Sequence, residues 1–282
     1  MSRQSINQGR RQLLQAGTLL GSAALLAPGS LLAQSRRVYH PGLQLYTLRN
    51  EMAGDFEGTL ARVASLGFRE MEFAGYFNRS AAQVRRILDD NGLVSPAAHI
   101  QMTAVRNNLQ AEIEWANTLG QRYIVVPILA PNERTLDDYR RHADTLNRAG
   151  EACRAAGLKM GYHNHSFEFE LTDGQVPYDV LLQETDPALV DFELDLYWIT
   201  NAGVDPLPYF QRYPGRFTML HVKDMGSDGS MVDVGSGQID FEGLFAQRDE
   251  AGFEHFFVEH DNPGDGIRSI SNSIRALQAM RF

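Results

Sequence analysis

Short apolar runs alternate with amphipathic runs from about residue 36 to the end of the chain. Eight of the apolar runs have the length and residue types of buried strands. The predicted strands are Gly42–Leu48, Arg69–Ala74, Ser95–Ile100, Tyr123–Ile128, Lys159–His165, Val190–Ile199, Thr218–Lys223 and His255–His260. Between them, apolar residues recur three and four positions apart, which predicts helices. The predicted helices are Phe56–Ser65, Ala81–Asn91, Leu109–Leu119, Leu136–Ala156, Val180–Glu184, Leu207–Tyr213, Phe241–Ala251 and Ile267–Met280.

The order of these elements predicts a closed barrel. Strands that alternate with helices pair in parallel, and an eight-unit barrel takes about 250 residues, close to the length that follows residue 35. Glycines end several predicted helices just before the next strand, at Gly67, Gly92, Gly120, Gly157 and Gly252. A doubly wound open sheet is the alternative, but Arg49–Asp55 lacks the glycine-rich phosphate turn of dinucleotide-binding sheets. We therefore predict a single-domain α/β protein, a (β/α)8 TIM barrel over residues 36–282.

The N-terminus has a different composition. Arg10 and Arg11 precede an apolar run from Ala16 to Ala27, and a small-residue site follows near Ala33. This pattern predicts a signal peptide over residues 1–34, of the twin-arginine type that exports folded proteins. Because the apolar run is short for a bilayer span of about 20 residues, we expect no stable membrane insertion after signal removal. The expected location is periplasmic or secreted.

Charge and cysteine content exclude several classes of protein. The formal net charge is −9, whereas nucleic-acid binding requires a basic face. Cys153 is the single cysteine of the sequence, which excludes an intramolecular disulfide and a cysteine-based metal site. Neither feature excludes a homo-oligomer.

Polar and ionisable residues occur where the predicted strands end. The catalytic groups of such barrels lie at these ends, and unpaired buried charge there would cost several kcal/mol. The residues are Gln44, Tyr46, Glu72, His99, His163, His165, Glu168, Asp195, His221, Lys223, Glu259 and Asp261. Their convergence on one mouth requires an explanation beyond packing.

Strands five to eight each supply one potential metal ligand at a matching position. These are His163, Asp195, His221 and Glu259, about one strand-plus-helix unit apart. A single histidine at a strand end is more often structural, but four such residues in register favour a metal site. Two imidazoles and two carboxylates suit a divalent ion such as Mn²⁺, Zn²⁺, Co²⁺ or Mg²⁺.

The motifs around these residues resemble the xylose-isomerase-like barrel superfamily. They are His163-Asn164-His165, Asp195-Leu196-Tyr197-Trp198, His221-Val222-Lys223-Asp224 and Val258-Glu259-His260-Asp261, with further matches at Gln44–Arg49 and Glu72–Tyr76. Within the superfamily the chain is similar to the sugar phosphate isomerase/epimerase group, which includes sugar epimerases, inosose dehydratases and 3-dehydroshikimate dehydratases. The resemblance extends from about residue 38 and implies a metal held by Glu, Asp, His and Glu from strands five to eight.

The fifth strand departs from that pattern. Asp195, His221 and Glu259 match the family ligands, but His163 stands where the family has a glutamate. Either His163 binds the metal or Glu168 reaches back from the following loop, and the shared strand register favours His163. In the mechanism that the resemblance implies, glutamates of the fifth and eighth strands bind metal and also move the proton. The departure argues against that two-glutamate mechanism.

The resemblance implies a metal-dependent sugar isomerase or epimerase. Such an enzyme removes a proton from the carbon next to a carbonyl of a carbohydrate or keto-sugar, a small-molecule substrate. The candidate catalytic residues are the bases Glu259, His165 and Glu168, and Lys223 as a partner of the oxyanion. The candidate substrate-binding residues are Gln44, Glu72, His99 and Trp198.

Other functions share parts of this pattern. A lyase or hydrolase, such as a dehydratase or an enzyme that eliminates from a 3-keto-glycoside, begins with the same proton abstraction and suits an exported protein. Phosphorylated sugars are disfavoured, because they are scarce outside the cytoplasm. Endonucleases of abasic DNA belong to the same superfamily, but the acidic charge argues against them. An exported sugar-binding protein without catalysis would contain no stoichiometric metal.

Overall fold

The computed structural model describes residues 36–282, and in that range eight parallel strands close into a barrel. The strands, including a small hairpin (β8 and β9), are β1 Gly42–Gln44, β2 Glu70–Phe73, β3 Val94–His99, β4 Tyr123–Val126, β5 Lys159–His163, β6 Val190–Asp195, β7 Met219–Val222, β8 Asp224–Met225, β9 Met231–Val232 and β10 His255–Val258. The barrel order is β1-β10-β7-β6-β5-β4-β3-β2. The predicted single-domain TIM barrel is confirmed, and the signal-peptide prediction lies outside the described residues.

Helices alternate with the barrel strands. They are α1 Arg49–Gly54, α2 Phe56–Leu66, α3 Ala81–Asp90, α4 Met102–Leu119, α5 Leu136–Ala155, α6 Pro177–Glu184, α7 Leu196–Asn201, α8 Leu207–Arg212, α9 Phe241–Phe245, α10 Arg248–Ala251 and α11 Gly266–Ala279. Gly67 and Gly120 end α2 and α4 with φ of 104° and 74°, a conformation that glycine adopts without strain. Within residues 36–282, no helix is long and apolar enough to cross a bilayer.

Two predicted strands are four residues too long, the predicted helix Phe241–Ala251 is two helices (α9 and α10), and one helix has a first segment that was not predicted. The strand Gly42–Leu48 stops at Gln44, whose side chain accepts the N–H of Tyr46 and caps a 3-10 turn. The strand Val190–Ile199 stops at Asp195, where helix α7 begins. Helix α4 is interrupted at Asn108, whose φ of −146° and ψ of 24° are not helical, so the predicted Leu109–Leu119 is its second segment. The first segment, which buries Met102 and Val105, is absent from the prediction. Short buried strands and short buried helices look alike in sequence.

The barrel interior changes from apolar to polar along the strands. Ala97, Tyr123, Val125, Met219 and Phe257 form a buried apolar cluster of inward-facing residues. Toward the C-terminal ends of β3, β7 and β10 the chain carries His99, His221 and Glu259 instead. The apolar cluster closes the barrel below these groups, so they open only toward the C-terminal mouth.

Candidate metal centre

The ends of β5, β6, β7 and β10 bring four potential metal ligands together. His163 and Asp195 end β5 and β6, His221 lies next to the end of β7, and Glu259 directly follows β10. In the parallel pairing, Asp195 is opposite His221. All four side chains are buried, and one ligand atom from each lies within 4.8 Å of the others. We call these four residues the upper tetrad.

Hydrogen bonding determines which nitrogen of His163 faces the other ligands. Nδ1 lies 2.9 Å from the carbonyl oxygen of Pro127, which can only accept, so we assign the proton to Nδ1. Nε2 is then left with a lone pair, 3.2 Å from Oδ2 of Asp195. Burial lowers the pKa of His163 and keeps the imidazole neutral. A lone pair and a carboxylate that face each other in this way can share a cation.

His221 is oriented by carboxylates on its other side. Its Nε2 lies 2.8 Å from Oε2 of Glu72 and 3.2 Å from Oε2 of Glu193, so Nε2 carries a proton. Its Nδ1 lies 2.8 Å from Oε2 of Glu259 but forms no hydrogen bond with any described residue. Burial opposes a positive charge, yet Glu193 and Glu259 raise the pKa of His221 well above its usual value. A cation at Nδ1 would therefore take the place of a proton.

Lys223 lies beside the upper tetrad and keeps its carboxylates ionised. Its Nζ is 2.9 Å from Oδ2 of Asp195, 2.7 Å from Oε2 of Glu259 and 2.9 Å from Oδ1 of Asp261. Burial opposes ionisation, but Lys223 and the neighbouring imidazoles hold the pKa values of Asp195 and Glu259 below their usual range. Both carboxylates are therefore available as ligands at neutral pH.

A second polar cluster lies deeper in the barrel and shares His221. Glu72, His99 and Glu193 approach from β2, β3 and β6, and their polar atoms also lie within 4.8 Å of one another and of His221. Nε2 of His99 is 2.8 Å from Oε2 of Glu193, and Nε2 of Gln44 donates to Oε2 of Glu72 over 2.8 Å. We call Glu72, His99, Glu193 and His221 the lower tetrad.

The upper tetrad has the composition of a divalent metal site. It combines two imidazole nitrogens with two carboxylate oxygens, and Nδ1 of His221 is a buried nitrogen that forms no hydrogen bond with any residue of 36–282. Within residues 36–282, Lys223 is the one lysine or arginine that contacts the tetrads, and it contacts Asp195 and Glu259 but neither Glu72 nor Glu193. Excess negative charge of this kind is costly when buried. The residues therefore fit the predicted ion.

A cavity of about 270 Å³ opens at the mouth of the barrel. It is lined by Tyr46, Ala74, His99, Gln101, Pro127, Ile128, His163, His165, Lys223, Glu259 and Asp261. The imidazole of His165 stacks against Phe167 and Trp198, with ring centroids 5.6 and 5.3 Å apart, and its Nδ1 bonds no described residue. Burial and His163 lower the pKa of His165 to about 2, so this imidazole is neutral.

The four predicted substrate-binding residues occupy different places. His99 lines the cavity, and Trp198 supports His165 beside it. Gln44 and Glu72 are fully buried at the lower tetrad, outside the cavity lining. The structure therefore brings His99 and Trp198 to the mouth and keeps the other two beneath the upper tetrad.

Glu168 does not join the upper tetrad. Its Oε1 accepts the hydroxyl of Tyr162 over 2.7 Å, and its Oε2 accepts the backbone N–H of His165 over 2.8 Å. Burial raises the pKa of Glu168 to about 7. The carboxylate therefore fixes the loop that carries His165, and His163 occupies the position of the fifth-strand ligand.

We expect Glu168→Gln to flatten the dependence of stability on pH. The pKa is raised from 4.5 to about 7, so between these values the unfolded chain ionises Glu168 first and wild-type stability falls as pH rises. A shift of this size corresponds to roughly 3 kcal/mol at most. Urea unfolding of the metal-free proteins at pH 4.5 and pH 8 measures the effect. An equal change with pH in wild type and variant would contradict it.

Two other motif residues organise the backbone around the mouth. Oδ1 of Asn164 accepts the backbone N–H of Asp195 over 3.0 Å, which ties the end of β5 to the end of β6. The carboxylate of Asp224 accepts the N–H groups of Gly235, Gly237 and Ile239 and holds the loop that follows the hairpin. These contacts give a structural role to Asn164 and Asp224, the polar residues that follow His163 and Lys223 in the sequence motifs.

The sequence reasoning above does not select Glu193. The signal is present: Asp191, Glu193 and Asp195 alternate with apolar residues in β6 and therefore face the same side of the strand. Glu193 lies two residues before Asp195, so the face of β6 that carries the predicted ligand also carries this carboxylate.

The fold and the site together define a class of barrel protein with a potential metal centre at the C-terminal mouth. The chain belongs to the xylose isomerase-like TIM barrel family, whose family model matches residues 60–280. It is similar to an inosose dehydratase of Geobacillus kaustophilus (strain HTA426), with 25% identity over 240 residues that cover 71% of this chain and 77% of that protein.

Solved structures agree on the fold. A sugar phosphate isomerase/epimerase from Parabacteroides distasonis ATCC 8503 superimposes with a TM-score of 0.73 and 28% identity, covering 90% of this chain and 96% of the other. The IOLI protein with a bound zinc atom superimposes with a TM-score of 0.66 and 14% identity, covering 84% of this chain and 96% of the other. At that identity the second likeness concerns the fold alone.

Proposed function

We propose that this protein is a metal-dependent carbon–oxygen lyase that removes water, or another β leaving group, from an unphosphorylated polyhydroxy ketone such as a keto-sugar or an inosose. The observation that carries the proposal is the composition of the upper tetrad. Its β5 position holds an imidazole, His163, while the nearby carboxylate of Glu168 is bound to Tyr162 and to the backbone of His165.

A divalent ion held by His163, Asp195, His221 and Glu259 would polarise the substrate carbonyl and acidify the adjacent C–H bond. His165 lines the cavity with an unpaired Nδ1 and a neutral imidazole, so it can accept that proton. With a pKa of about 2 it is a weak base, and acidification of the carbon must supply most of the driving force. Lys223 supplies positive charge beside the developing oxyanion.

Elimination balances without an added reactant. The α proton passes to the base, the α,β double bond forms as the β carbon–oxygen bond breaks, and the protonated base returns that proton to the departing hydroxide, which leaves as water. If the α carbon bears a hydroxyl, the product is an enol that tautomerises to a 1,2-diketone. One proton acceptor and one cation suffice for this reaction, whereas epimerisation through two glutamates requires a carboxylate at the position of His163. The dehydratase name of the Geobacillus kaustophilus relative supports the same reaction type.

The charges at the mouth support an unphosphorylated substrate. Among the described residues that line the cavity, Lys223 is the one lysine or arginine, and it already contacts Asp195, Glu259 and Asp261. A phosphate group would meet these carboxylates without a free cation to offset its charge. Export, which we propose from the N-terminal sequence, favours the same class of substrate.

Isomerisation or epimerisation of a sugar is the second candidate. It is favoured by the likeness to the sugar phosphate isomerase/epimerase of Parabacteroides distasonis, the better of the two structural matches by identity and TM-score. It would use the same proton abstraction but return the proton to carbon.

We expect the Mn²⁺- or Zn²⁺-loaded protein to form an unsaturated or diketone product from at least one member of a panel of inososes, keto-sugars and 3-keto-glycosides. Proton NMR in D₂O and ultraviolet absorbance follow the reaction, with chelator-treated protein as the control. A new epimer or isomer with deuterium at the reacting carbon and no loss of water would favour the second candidate. Absence of stoichiometric metal after purification and reloading would contradict both.

A further inference from the structure

We propose that Glu72 is a positioning residue, which holds His221 so that Nδ1 faces the metal and Nε2 keeps its proton. The proposal rests on the proposed metal centre. It assigns Glu72 a different role from the substrate contact that its place at a strand end suggests.

The two nitrogens of His221 have different surroundings. Nε2 lies 2.8 Å from Oε2 of Glu72, and Nδ1 faces Glu259 without a hydrogen bond to any residue in the described range. A carboxylate acceptor at one nitrogen fixes the tautomer and leaves the lone pair of the other for the ion, and it also makes the imidazole a stronger ligand. Glu193, 3.2 Å from the same Nε2, is the weaker acceptor by distance.

Glu72 is itself fixed by a donor from the first strand. Nε2 of Gln44 donates to Oε2 of Glu72 over 2.8 Å, while Oε1 of Gln44 accepts the N–H of Tyr46. This second contact orients the Gln44 amide with its NH₂ group toward Glu72. The result is a continuous path of hydrogen bonds from β1 through β2 to the metal ligand on β7.

Burial separates this path from the substrate. Gln44 and Glu72 each have 0% exposed surface, and His221, also at 0%, lies between Glu72 and Glu259. A substrate in the mouth cavity can reach His99, His165 and Glu259, which line it. Glu72 can therefore influence the reaction through His221, and through His99, whose Nε2 lies 3.5 Å from Oε1 of Glu72.

The contacts of the lower tetrad are those of hydrogen bonds. Nε2 of His99 and Nε2 of His221 each form a hydrogen bond with a carboxylate, whereas Nδ1 of His221, in the upper tetrad, forms none with a described residue. A second ion in the lower tetrad would require a lone pair on Nε2 of His221, which has none when Nδ1 binds the ion of the upper tetrad and Nε2 carries the proton. A supporting role for Glu72 explains these hydrogen bonds and leaves Nδ1 of His221 for the ion.

We expect Glu72→Met, which removes the acceptor but keeps the side-chain length, to weaken Zn²⁺ binding about 10- to 100-fold. Glu72→Gln, which retains an acceptor oxygen, should recover part of the loss. Chelator-competition titration measures the affinities. In the Zn²⁺-loaded proteins, the Nε2–H proton of His221, assigned by its loss in His221→Gln, should shift strongly upfield or exchange rapidly in Glu72→Met.

The same strand offers a matched control. Oε2 of Glu70 lies 2.8 Å from Nδ1 of His255, so Glu70→Met removes a carboxylate–histidine pair of equal length at the other end of β2. It should change Zn²⁺ affinity less than about 3-fold and leave the His221 proton unmoved. Equal losses of Zn²⁺ affinity in Glu72→Met and Glu70→Met would overturn the proposal, because removing any carboxylate–histidine pair of β2 would then have the same effect.

The outcomes separate the two proposals. If wild type binds no stoichiometric divalent ion, the proposed metal centre fails. If wild type binds the ion and Glu72→Met binds it equally well, the metal centre stands and the positioning role fails. If Glu72→Met does not fold, Glu72→Gln decides: affinity equal to wild type with an unmoved His221 proton overturns the role, and weaker affinity with a shifted proton supports it.

Discussion

Glu259→Gln should abolish stoichiometric metal binding and lower the turnover measured in the presence of added metal by about 10³-fold. Oε2 of Glu259 lies 2.8 Å from Nδ1 of His221 and 2.7 Å from Nζ of Lys223, so one oxygen serves both the candidate ion and the buried lysine. The amide keeps the shape but removes the charge. Deuterium exchange at the substrate carbon and metal content measure the two effects.

The control for Glu259→Gln is a glutamate outside the site. Glu254 pairs with Arg122 at the partly exposed opposite end of β10, and such ion pairs contribute little to stability. Glu254→Gln should keep activity within about 2-fold. Proton exchange at the wild-type rate in Glu259→Gln would exclude Glu259 from both metal binding and catalysis.

The barrel and the location of its site follow from patterns in the sequence. The period of the apolar residues identifies the eight strands, and parallel barrels carry their chemistry at the strand ends. The upper tetrad lies there because His163, Asp195, His221 and Glu259 occupy corresponding ends and the same face of their strands. Alternation along a strand predicts the side to which a residue points.

Depth inside the barrel is harder to predict. Gln44 and Glu72 are fully buried, are paired in register on β1 and β2, and do not line the cavity. Whether a strand-end residue reaches the cavity depends on the stagger between strands. Stagger depends on strand tilt around the whole barrel, which no single strand encodes. The sequence therefore predicts that Glu72 faces the interior and leaves open whether it meets substrate or supports a ligand.

The end of β6 shows a second limit. Asp195 ends the strand and caps α7 by accepting the N–H of Trp198 over 2.9 Å, so Leu196–Ile199 form a helix although they are apolar like the strand. An aspartate before an apolar run is a helix-start signal, but it competes here with the strand pattern. The same carboxylate is both a helix cap and a candidate metal ligand, and the capping hydrogen bond fixes the orientation of the side chain.

Lys223→Met should have three effects of different sign: lower stability of the metal-free protein, tighter metal binding and lower activity. Lys223 is buried and contacts Asp195, Glu259 and Asp261, so its removal leaves buried carboxylates unpaired. Breaking such a buried pair costs about 3–5 kcal/mol. Burial lowers the pKa of Lys223, but the three carboxylates raise it well above its usual value, so the lost side chain is a cation.

Tighter metal binding follows because Lys223 and the ion compete for the same oxygens, Oδ2 of Asp195 and Oε2 of Glu259. Thermal unfolding is measured with chelator and with Mn²⁺. The increase in melting temperature on adding Mn²⁺ should be larger in Lys223→Met than in wild type. Activity should still fall about 10²-fold, since the oxyanion loses its cation.

Lys159→Met is the control: Lys159 pairs with Asp191 over 2.8 Å at the opposite end of the barrel, and its loss should leave metal affinity unchanged. Weaker metal binding in Lys223→Met would show that Lys223 organises the carboxylates for the ion instead of competing with it.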